Sequence, residues 1–366
     1  MRTTRRQFIR GASALGAVTA LKGSAFAQGL APKPLDILVL GGTGFIGPHE
    51  INYAKARGHR ITMFNRGQTA PELFPNVETL IGDRDGQLDA LKGRDWDAVI
   101  DNSGFYPRHA RLSAELLHGH VGQYMFVSSI SAHGDDLSVD DDEFSSPPAV
   151  MEDPTDESEP PYGPSYGARK ALCEQEISKV FGDRAILIRP GIITGIGDPT
   201  ERLRHWLVRM QAGNEILVPE ADENLPIQYI DAADMTGWMV RMLEDGGSGP
   251  YNAVGAREPY RARPLLENIR DALGSSSRLT WVNWEWLQQQ VENVPSYAPW
   301  YGMGPIPFMQ VNNDRALATG LTFRPIGDTA KDMVANLPPR EPGEWRGGFD
   351  LETEAELLDK WHKEEG

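Results

Sequence analysis

The stretch that decides the fold is Ile37-Leu38-Val39-Leu40-Gly41-Gly42-Thr43-Gly44-Phe45-Ile46-Gly47. Its four leading apolar residues predict a buried parallel strand, and the amphipathic residues 51–57 predict a helix after the turn. Gly41 permits a tight turn, Gly44 lets a pyrophosphate approach the backbone, and Gly47 lets the helix pack close to the strand. Strand, Gly-x-x-Gly-x-x-Gly and helix in this order indicate a dinucleotide site at a helix N-terminus rather than an ordinary glycine turn.

More strand-like segments follow, and helical segments separate them. The predicted strands are residues 60–64, 77–81, 98–101, 124–129 and 185–189. Strands that alternate with helices in this way predict an α/β fold, a doubly wound (Rossmann) parallel sheet that binds ligands beyond its carboxyl ends.

The composition changes along the 366 residues and predicts a division into parts. A smaller, mostly C-terminal part is expected to bind the substrate. The predicted parts are an export signal (1–27), a linker (28–34), the Rossmann domain (35–200), a substrate-binding part interleaved with late Rossmann elements (201–350) and a C-terminal helix (351–366). Residues 135–161 form an acidic, proline-rich stretch, which predicts a mobile, solvated loop rather than a metal site.

The N-terminus has the pattern of a twin-arginine (Tat) export signal. Thr4-Arg5-Arg6-Gln7-Phe8-Ile9-Arg10 precedes a short apolar run and the small-x-small site Ala25-Phe26-Ala27. This predicts passage through the Tat translocase to a periplasmic or other extracytoplasmic location. The alternative, a permanent membrane anchor, is disfavoured because the apolar run is short for a bilayer. Tat carries folded proteins, so a cofactor is expected to be held tightly.

Charge and cysteine content exclude some functions. Removal of the five basic residues in segment 1–27, which has no acidic residue, takes the formal net charge from -16 to -21. Such a charge repels phosphate backbones and argues against nucleic acid as a partner. Cys173 is the only cysteine, so no internal disulfide forms, and its helical setting predicts a buried thiol.

Tyr166 and Lys170 have the spacing of two residues on one face of a helix. A free phenol titrates near pH ~10, and a neighbouring ammonium would lower its pKa. A phenol tuned in this way can exchange a proton with a substrate hydroxyl. Trp300 and Tyr301 lie in an aromatic loop rich in proline and glycine, so they are candidate lid residues or simply packing residues.

These motifs together resemble the extended short-chain dehydrogenase/reductase superfamily, specifically its NAD-dependent epimerase/dehydratase family. The resemblance covers residues 36 to about 240, with a late match at 314–325. It rests on the glycine stretch, Asp83, Phe126-Val127-Ser128-Ser129-Ile130-Ser131, Tyr166 with Lys170, and Arg189-Pro190-Gly191-Ile192-Ile193-Thr194-Gly195.

The resemblance implies roles for the matching residues. Tyr166 would be the acid/base, Lys170 its partner and ribose ligand, and Ser129 the hydroxyl that holds the substrate oxygen. The implied cofactor contacts are Gly41, Thr43, Gly44, Phe45, Ile46, Gly47, Asp83 at the adenine, Ser103, and Pro190 and Ile193 at the nicotinamide amide. His133 departs from the tyrosine that is usual in relatives, and is a candidate substrate contact or a satisfied surface histidine.

The end of the second strand bears on the choice of cofactor. NAD enzymes usually have an acidic residue there to bond the ribose 2′-hydroxyl, whereas this chain has Asn65 and Arg66. Arg66 could pair with a 2′-phosphate, so the sequence favours NADP over NAD.

The predicted activity is that of an NAD(P)-dependent epimerase, dehydratase or reductase acting on a hydroxyl-bearing carbon of a sugar or sugar derivative. Outside the cytoplasm no free NAD(P) pool refills the enzyme, which favours turnover that returns the cofactor to its starting state. The alternatives are a non-catalytic protein that retains nucleotide, related to RNA-binding members of the family, and a secreted scaffold. Relatives often form homodimers, so a homodimer is possible.

Overall fold

The computed structural model describes residues 29–220, 226–295, 306–337 and 347–365. The predicted export signal and the candidate lid residues Trp300 and Tyr301 lie outside these residues. The chain divides into two compact units. The first comprises Met1–Gly191, Ala232–Val254 and Val311–Thr322, and the second Ile192–Asp231, Gly255–Gln310 and Phe323–Gly366.

The strands and helices alternate along most of the described chain. The strands are β1 (Asp36–Leu40), β2 (Arg60–Asn65), β3 (Glu78–Ile81), β4 (Trp96–Asp101), β5 (Val121–Val127), β6 (Ala185–Pro190), β7 (Ile192–Thr194), β8 (Ile216–Glu220), β9 (Tyr229–Asp231), β10 (Gly249–Ala253) and β11 (Leu279–Asn283). The α-helices are α1 (Gly47–Ala56), α2 (Pro107–Leu117), α3 (Tyr166–Phe181), α4 (Arg204–Ala212), α5 (Ala232–Asp245), α6 (Ala262–Ala272), α7 (Trp284–Gln290), α8 (Asp314–Ala318), α9 (Ile326–Asn336) and α10 (Leu351–Glu365).

The first unit is built on a seven-stranded parallel sheet in the order β10-β6-β5-β4-β1-β2-β3. This confirms the predicted doubly wound fold. The sequence did not predict β10, which pairs with β6. Leu40 at the end of β1 lies opposite Phe64 of β2 and Asp101 of β4, so the carboxyl ends of these strands are level. The loops that follow them, the glycine turn included, therefore meet at one edge.

Helices cover this sheet and bury its apolar strands. Helix α1 packs on α5, and α2 packs on α3. Cys173 of α3 is fully buried among the aromatic and aliphatic residues of the core. Burial raises the pKa of its thiol to about 12, which keeps the thiol protonated and unreactive.

The second unit has a core of its own. It contains two small parallel sheets, β8 with β11 and β7 with β9. Trp206 of α4 is fully buried in this core, and α10 contributes Leu357 and Leu358. In the part of the chain that the structure describes, none of the helices combines the length and apolar character needed to cross a bilayer.

Most residues of the acidic loop 135–161 are exposed, but Asp141 and Glu143 are bonded to residues far away along the chain. Glu143 is buried, and its Oε1 accepts a hydrogen bond from the Asn252 backbone N–H at 2.7 Å. Its backbone carbonyl accepts from Arg189 Nη1 at 3.1 Å, and the Asp141 carbonyl accepts from the Asn312 N–H at 3.0 Å. The acidic residues of the loop are visible in the sequence, but these contacts depend on Arg189, Asn252 and Asn312, which lie far away along the chain.

Candidate active site

The glycine turn leaves open space where a phosphate is expected. Gly41 and Gly42 have φ angles of +112° and +92°, which other residues rarely adopt. A Cβ atom added to Gly44 would meet no atom within 4 Å, so the backbone is open there. A Cβ atom on Gly47, the first residue of α1, would overlap the Gly42 carbonyl. Gly47 therefore serves the closure of the turn itself.

A cavity of about 370 Å³ opens beside this turn in the first unit. Seven of the residues predicted to bind the cofactor line it, namely Gly41, Thr43, Gly44, Asn65, Arg66, Asp83 and Ser103. Phe45, Ile46, Gly47 and Pro190 do not line it, and Ile193 belongs to the second unit. The cavity contacts the loops after β1, β2, β3 and β4, where a doubly wound sheet places a nucleotide.

The two residues after β2 differ in how they are used. The Asn65 side chain holds the turn, because its Nδ2 donates to the Gly41 carbonyl at 3.0 Å and its Oδ1 accepts from the Gly67 N–H at 2.8 Å. Arg66 is exposed and lines the cavity. No carboxylate of the described residues pairs with it, which leaves its guanidinium available to an anionic ligand.

Ser129 and Tyr166 meet as expected. Ser129 follows β5, and Tyr166 opens α3, so a strand end and a helix start position the two hydroxyls. The Ser129 side chain lies beside the Tyr166 phenol, and its Oγ accepts a hydrogen bond from the Ser131 N–H at 3.1 Å. Burial raises the pKa of Tyr166 to about 12, and the neighbouring Ser129 side chain offsets part of that rise.

Lys170 does not lower the pKa of Tyr166, contrary to the sequence argument. Its Nζ donates to the backbone carbonyls of Val127 and Gly104, at 2.6 and 2.8 Å. The side chain is buried, and burial lowers the pKa of Lys170 to about 8. The spacing does place both residues on α3, but the ammonium is bonded to these carbonyls, and the side chain beside the phenol is the neutral Ser129.

An aromatic group lies between the cavity and these three residues. Ser129, Tyr166 and Lys170 do not line the cavity. Phe105 lines it, and its ring centroid is 5.3 Å from Lys170 Nζ. The Tyr162 ring lies 5.2 Å from that of Phe105 and 5.5 Å from that of Tyr166. Phe105 and Tyr162 thus connect the cavity wall with the Tyr166 phenol.

His133 is not a surface residue. It is 2% exposed, and both ring nitrogens have protein partners: Nδ1 lies 3.0 Å from Ser146 Oγ and Nε2 lies 3.0 Å from Asn252 Oδ1. These contacts agree with the expectation of a satisfied histidine, although His133 is buried and not on the surface. Separately, no group of three metal-ligating side chains is found among the described residues.

Sequence reasoning missed two buried pairs beside the glycine turn. Arg84, directly after Asp83, lines the cavity and forms a buried ion pair with Asp101. An acidic residue at the end of the apolar β4 was the available signal for this pair. Glu50 of α1 is also buried, and Oε1 of its carboxyl accepts a hydrogen bond from the Asn102 amide.

The Glu50 carboxyl predicts a pH dependence of stability. Burial raises its pKa to about 8, and neither Glu50 Oε2 nor Asn102 Oδ1 has a hydrogen-bond partner among the described residues. An acid whose pKa is raised in the folded state stabilises it below the unfolded pKa of about 4.5 and loses that contribution as the pH rises through about 8. We therefore expect the free energy of unfolding, measured with urea, to fall by a few kcal/mol more between pH 5 and 9 in the wild type than in Glu50→Gln. Parallel pH curves for the two proteins would contradict this assignment.

Comparison with known proteins identifies relatives of this site and fold. Residues 37–254 match the model of a family described as the NAD dependent epimerase/dehydratase family. The 2'-dehydrokanamycin reductase of Streptomyces kanamyceticus is 26% identical over 272 residues, which cover 71% of this chain and 73% of the relative. The 2-alkyl-3-oxoalkanoate reductase of Stenotrophomonas maltophilia is 26% identical over 66% of this chain and 76% of its own length.

Solved structures share the fold at lower identity. The UDP-N-acetylglucosamine 4-epimerase from Bacillus cereus has a TM-score of 0.60 and 16% identity, over 82% of this chain and 98% of that one. The Bordetella bronchiseptica enzyme WbmH in complex with NAD+ has a TM-score of 0.59 and 15% identity, over 85% and 100%. These likenesses concern the fold.

Proposed function

The chain belongs to the NAD-dependent epimerase/dehydratase family of oxidoreductases, and from that premise we propose that it moves hydride to and from a hydroxyl-bearing carbon of a sugar or sugar derivative. The observation that carries the proposal is the placement of the Ser129 side chain beside the Tyr166 phenol at the start of α3, in the same unit as the cavity beside the glycine turn. A bound nicotinamide would supply the hydride chemistry.

The residues present fit a dinucleotide. The open backbone at Gly44 and the N-terminus of α1 suit the pyrophosphate, and Asp83 in the cavity suits an adenine amino group. Lys170 would have to donate to ribose hydroxyls in addition to, or in place of, the carbonyl of Gly104.

The proton is assigned to Tyr166. With a pKa of about 12 the phenol is protonated at neutral pH and is therefore poised to give its proton to a substrate carbonyl oxygen that Ser129 holds. In the reverse direction the phenolate takes the proton from the substrate hydroxyl, and this needs a lower pKa than burial alone produces. Bound ligand and a turned Lys170 ammonium would supply that change.

We propose that turnover is redox-neutral, as in epimerisation or redox-assisted elimination. Support comes from the twin-arginine segment, because a protein exported through the Tat translocase has no free NAD(P) outside the cytoplasm to exchange with. Net reduction of a ketone is the second candidate. The protonated Tyr166 favours it, and the curated relatives above are named as reductases.

The two candidates make different predictions for one experiment. Nucleotide released from the purified protein is identified by mass spectrometry, and candidate saccharides are then added while the absorbance of the reduced nicotinamide is followed. Redox-neutral turnover gives only a transient change, whereas net reduction consumes the reduced cofactor in step with the substrate. Protein that neither retains nor binds a nicotinamide nucleotide would refute both candidates.

We also propose that NADP is preferred to NAD, through Arg66. The guanidinium lines the cavity, and Asn65 brings no negative charge that would repel a 2′-phosphate. Arg66→Ala should weaken NADPH binding roughly tenfold to a hundredfold and leave NADH binding unchanged, because a charge-assisted hydrogen bond contributes about 1.5–3 kcal/mol. Calorimetric titration with both nucleotides measures this, and Arg94→Ala is the control because Arg94 pairs with Glu78 on the surface. Equal losses for NADH and NADPH would contradict the assignment.

A further inference from the structure

Arg84 lines the cavity and pairs with Asp101 through both carboxylate oxygens. Arg84 Nη1 and Nη2 lie 2.5 and 2.7 Å from Asp101 Oδ1 and Oδ2, and the two side chains are 10% and 0% exposed. Arg84 Nη2 also donates to Ser113 Oγ at 3.1 Å. A two-pronged pair of this kind fixes both position and direction.

Asp101 also accepts a hydrogen bond from the turn that follows β4. Its Oδ1 accepts the Ser103 N–H at 3.0 Å, and its Oδ2 accepts the Tyr124 hydroxyl at 2.7 Å. Arg84 Nη1 reaches the Ser103 hydroxyl at 3.3 Å. The beginning of the turn is therefore held by both members of the ion pair.

The next residue of this turn, Gly104, lies beside Arg84 and is bonded to the Lys170 ammonium. A Cβ atom on Gly104 would lie 2.5 Å from Phe126 Cε2 and 3.4 Å from Arg84 Nη1, so the glycine fits between the ring and the guanidinium. The Gly104 carbonyl accepts from Lys170 Nζ at 2.8 Å. Gly104 therefore lies next to the guanidinium and accepts a hydrogen bond from the ammonium.

We propose that Arg84 and Asp101 are a positioning pair for Lys170, which hold the Gly104 carbonyl in place and balance each other's charge beside the buried ammonium. The inference rests on the proposed function, because Lys170 matters to catalysis only when a nucleotide ribose binds beside it. Sequence comparison within the motifs would not reveal the pair, since neither residue belongs to them.

The charges around Lys170 make the proposal testable. Besides Arg84 and Asp101, the groups that face it are the Cys173 thiol and Glu174, whose carboxylate is already paired with Arg189 at 2.7 Å. Burial is the largest influence and lowers the pKa of Lys170, while Asp101 raises it and Arg84 lowers it. Loss of Arg84 alone should therefore raise the pKa of Lys170, and loss of Asp101 alone should lower it.

The experiment measures the dissociation constant of NADPH from pH 7 to 10, where the 2′-phosphate is already ionised. Affinity should fall as Lys170 loses its proton, because an ammonium donates more strongly to ribose hydroxyls than an amine does. We expect the pH of this break to rise by roughly one unit in Arg84→Met and to fall by roughly one unit in Asp101→Asn. The double variant should return the break to its wild-type position.

Two further variants separate charge from packing. Arg84→Lys keeps the charge and should keep the break, and Arg94→Met removes a surface guanidinium of the same unit and should also keep it. Breaks that do not move, or that move in the same direction in Arg84→Met and Asp101→Asn, would overturn the positioning pair. If Arg84→Met does not fold, Asp101→Asn and the double variant still decide the outcome. Wild-type protein that fails to bind NADPH or NADH would instead overturn the proposed function.

Discussion

Replacement of Tyr166 by phenylalanine should lower the turnover number about a thousandfold and leave the affinity for nicotinamide nucleotide within twofold of the wild type. The substitution removes only the phenol hydroxyl, which lies beside the Ser129 side chain. Without it no group at that position gives a proton to the substrate oxygen. Steady-state turnover and nucleotide titration on the same preparation measure the two quantities.

Tyr162→Phe is the matched control for this substitution. Tyr162 lies four residues before Tyr166, ahead of the start of α3; its ring contacts that of Tyr166, and it is 69% exposed. The Tyr162→Phe variant should retain most of the wild-type activity. Full activity in Tyr166→Phe would contradict the assignment of the proton to this phenol, and equal losses in both variants would point to general damage of the aromatic group.

Local signals predicted the parts of the fold that local physics determines. The glycine stretch was interpreted correctly as strand, turn and helix, because apolar runs and positive φ angles depend on neighbouring residues. Strand β10 was missed because Gly249 and Pro250 are poor strand residues, and its pairing with Ile186 and Leu187 of β6 creates the strand. Pairing between strands that are far apart along the chain leaves no periodic pattern in the sequence.

For the candidate site as well, the sequence predicted local features but not contacts between residues far apart along the chain. The spacing of Tyr166 and Lys170 predicted a shared helix, and both lie on α3. It did not predict where the ammonium points, because that depends on the carbonyls of Gly104 and Val127, which lie far away in sequence. The partner of Asp101 was not predicted for the same reason, because Arg84 lies in another part of the chain, after β3.

Gly44→Ala should separate nucleotide binding from folding. A methyl group at this position meets no protein atom within 4 Å and φ is not positive, so the free energy of unfolding should change by less than about 1 kcal/mol. The same methyl group would occupy the space that a pyrophosphate needs against the backbone. We expect the dissociation constants of NADH and NADPH to rise at least tenfold, roughly 1.4 kcal/mol or more, because backbone hydrogen bonds to the phosphates are lost.

Substitutions at two other glycines are the controls for this prediction. Gly29→Ala also adds a methyl group in open space, but outside the cavity, and should change neither stability nor affinity. Gly47→Ala places its Cβ atom on the Gly42 carbonyl, so it should destabilise the fold by several kcal/mol before binding is considered. The contrast assigns one glycine to the ligand and the other to the turn. Wild-type affinity in Gly44→Ala would mean that the open backbone beside α1 is not the phosphate site, and the case for a dinucleotide there would lose its structural basis.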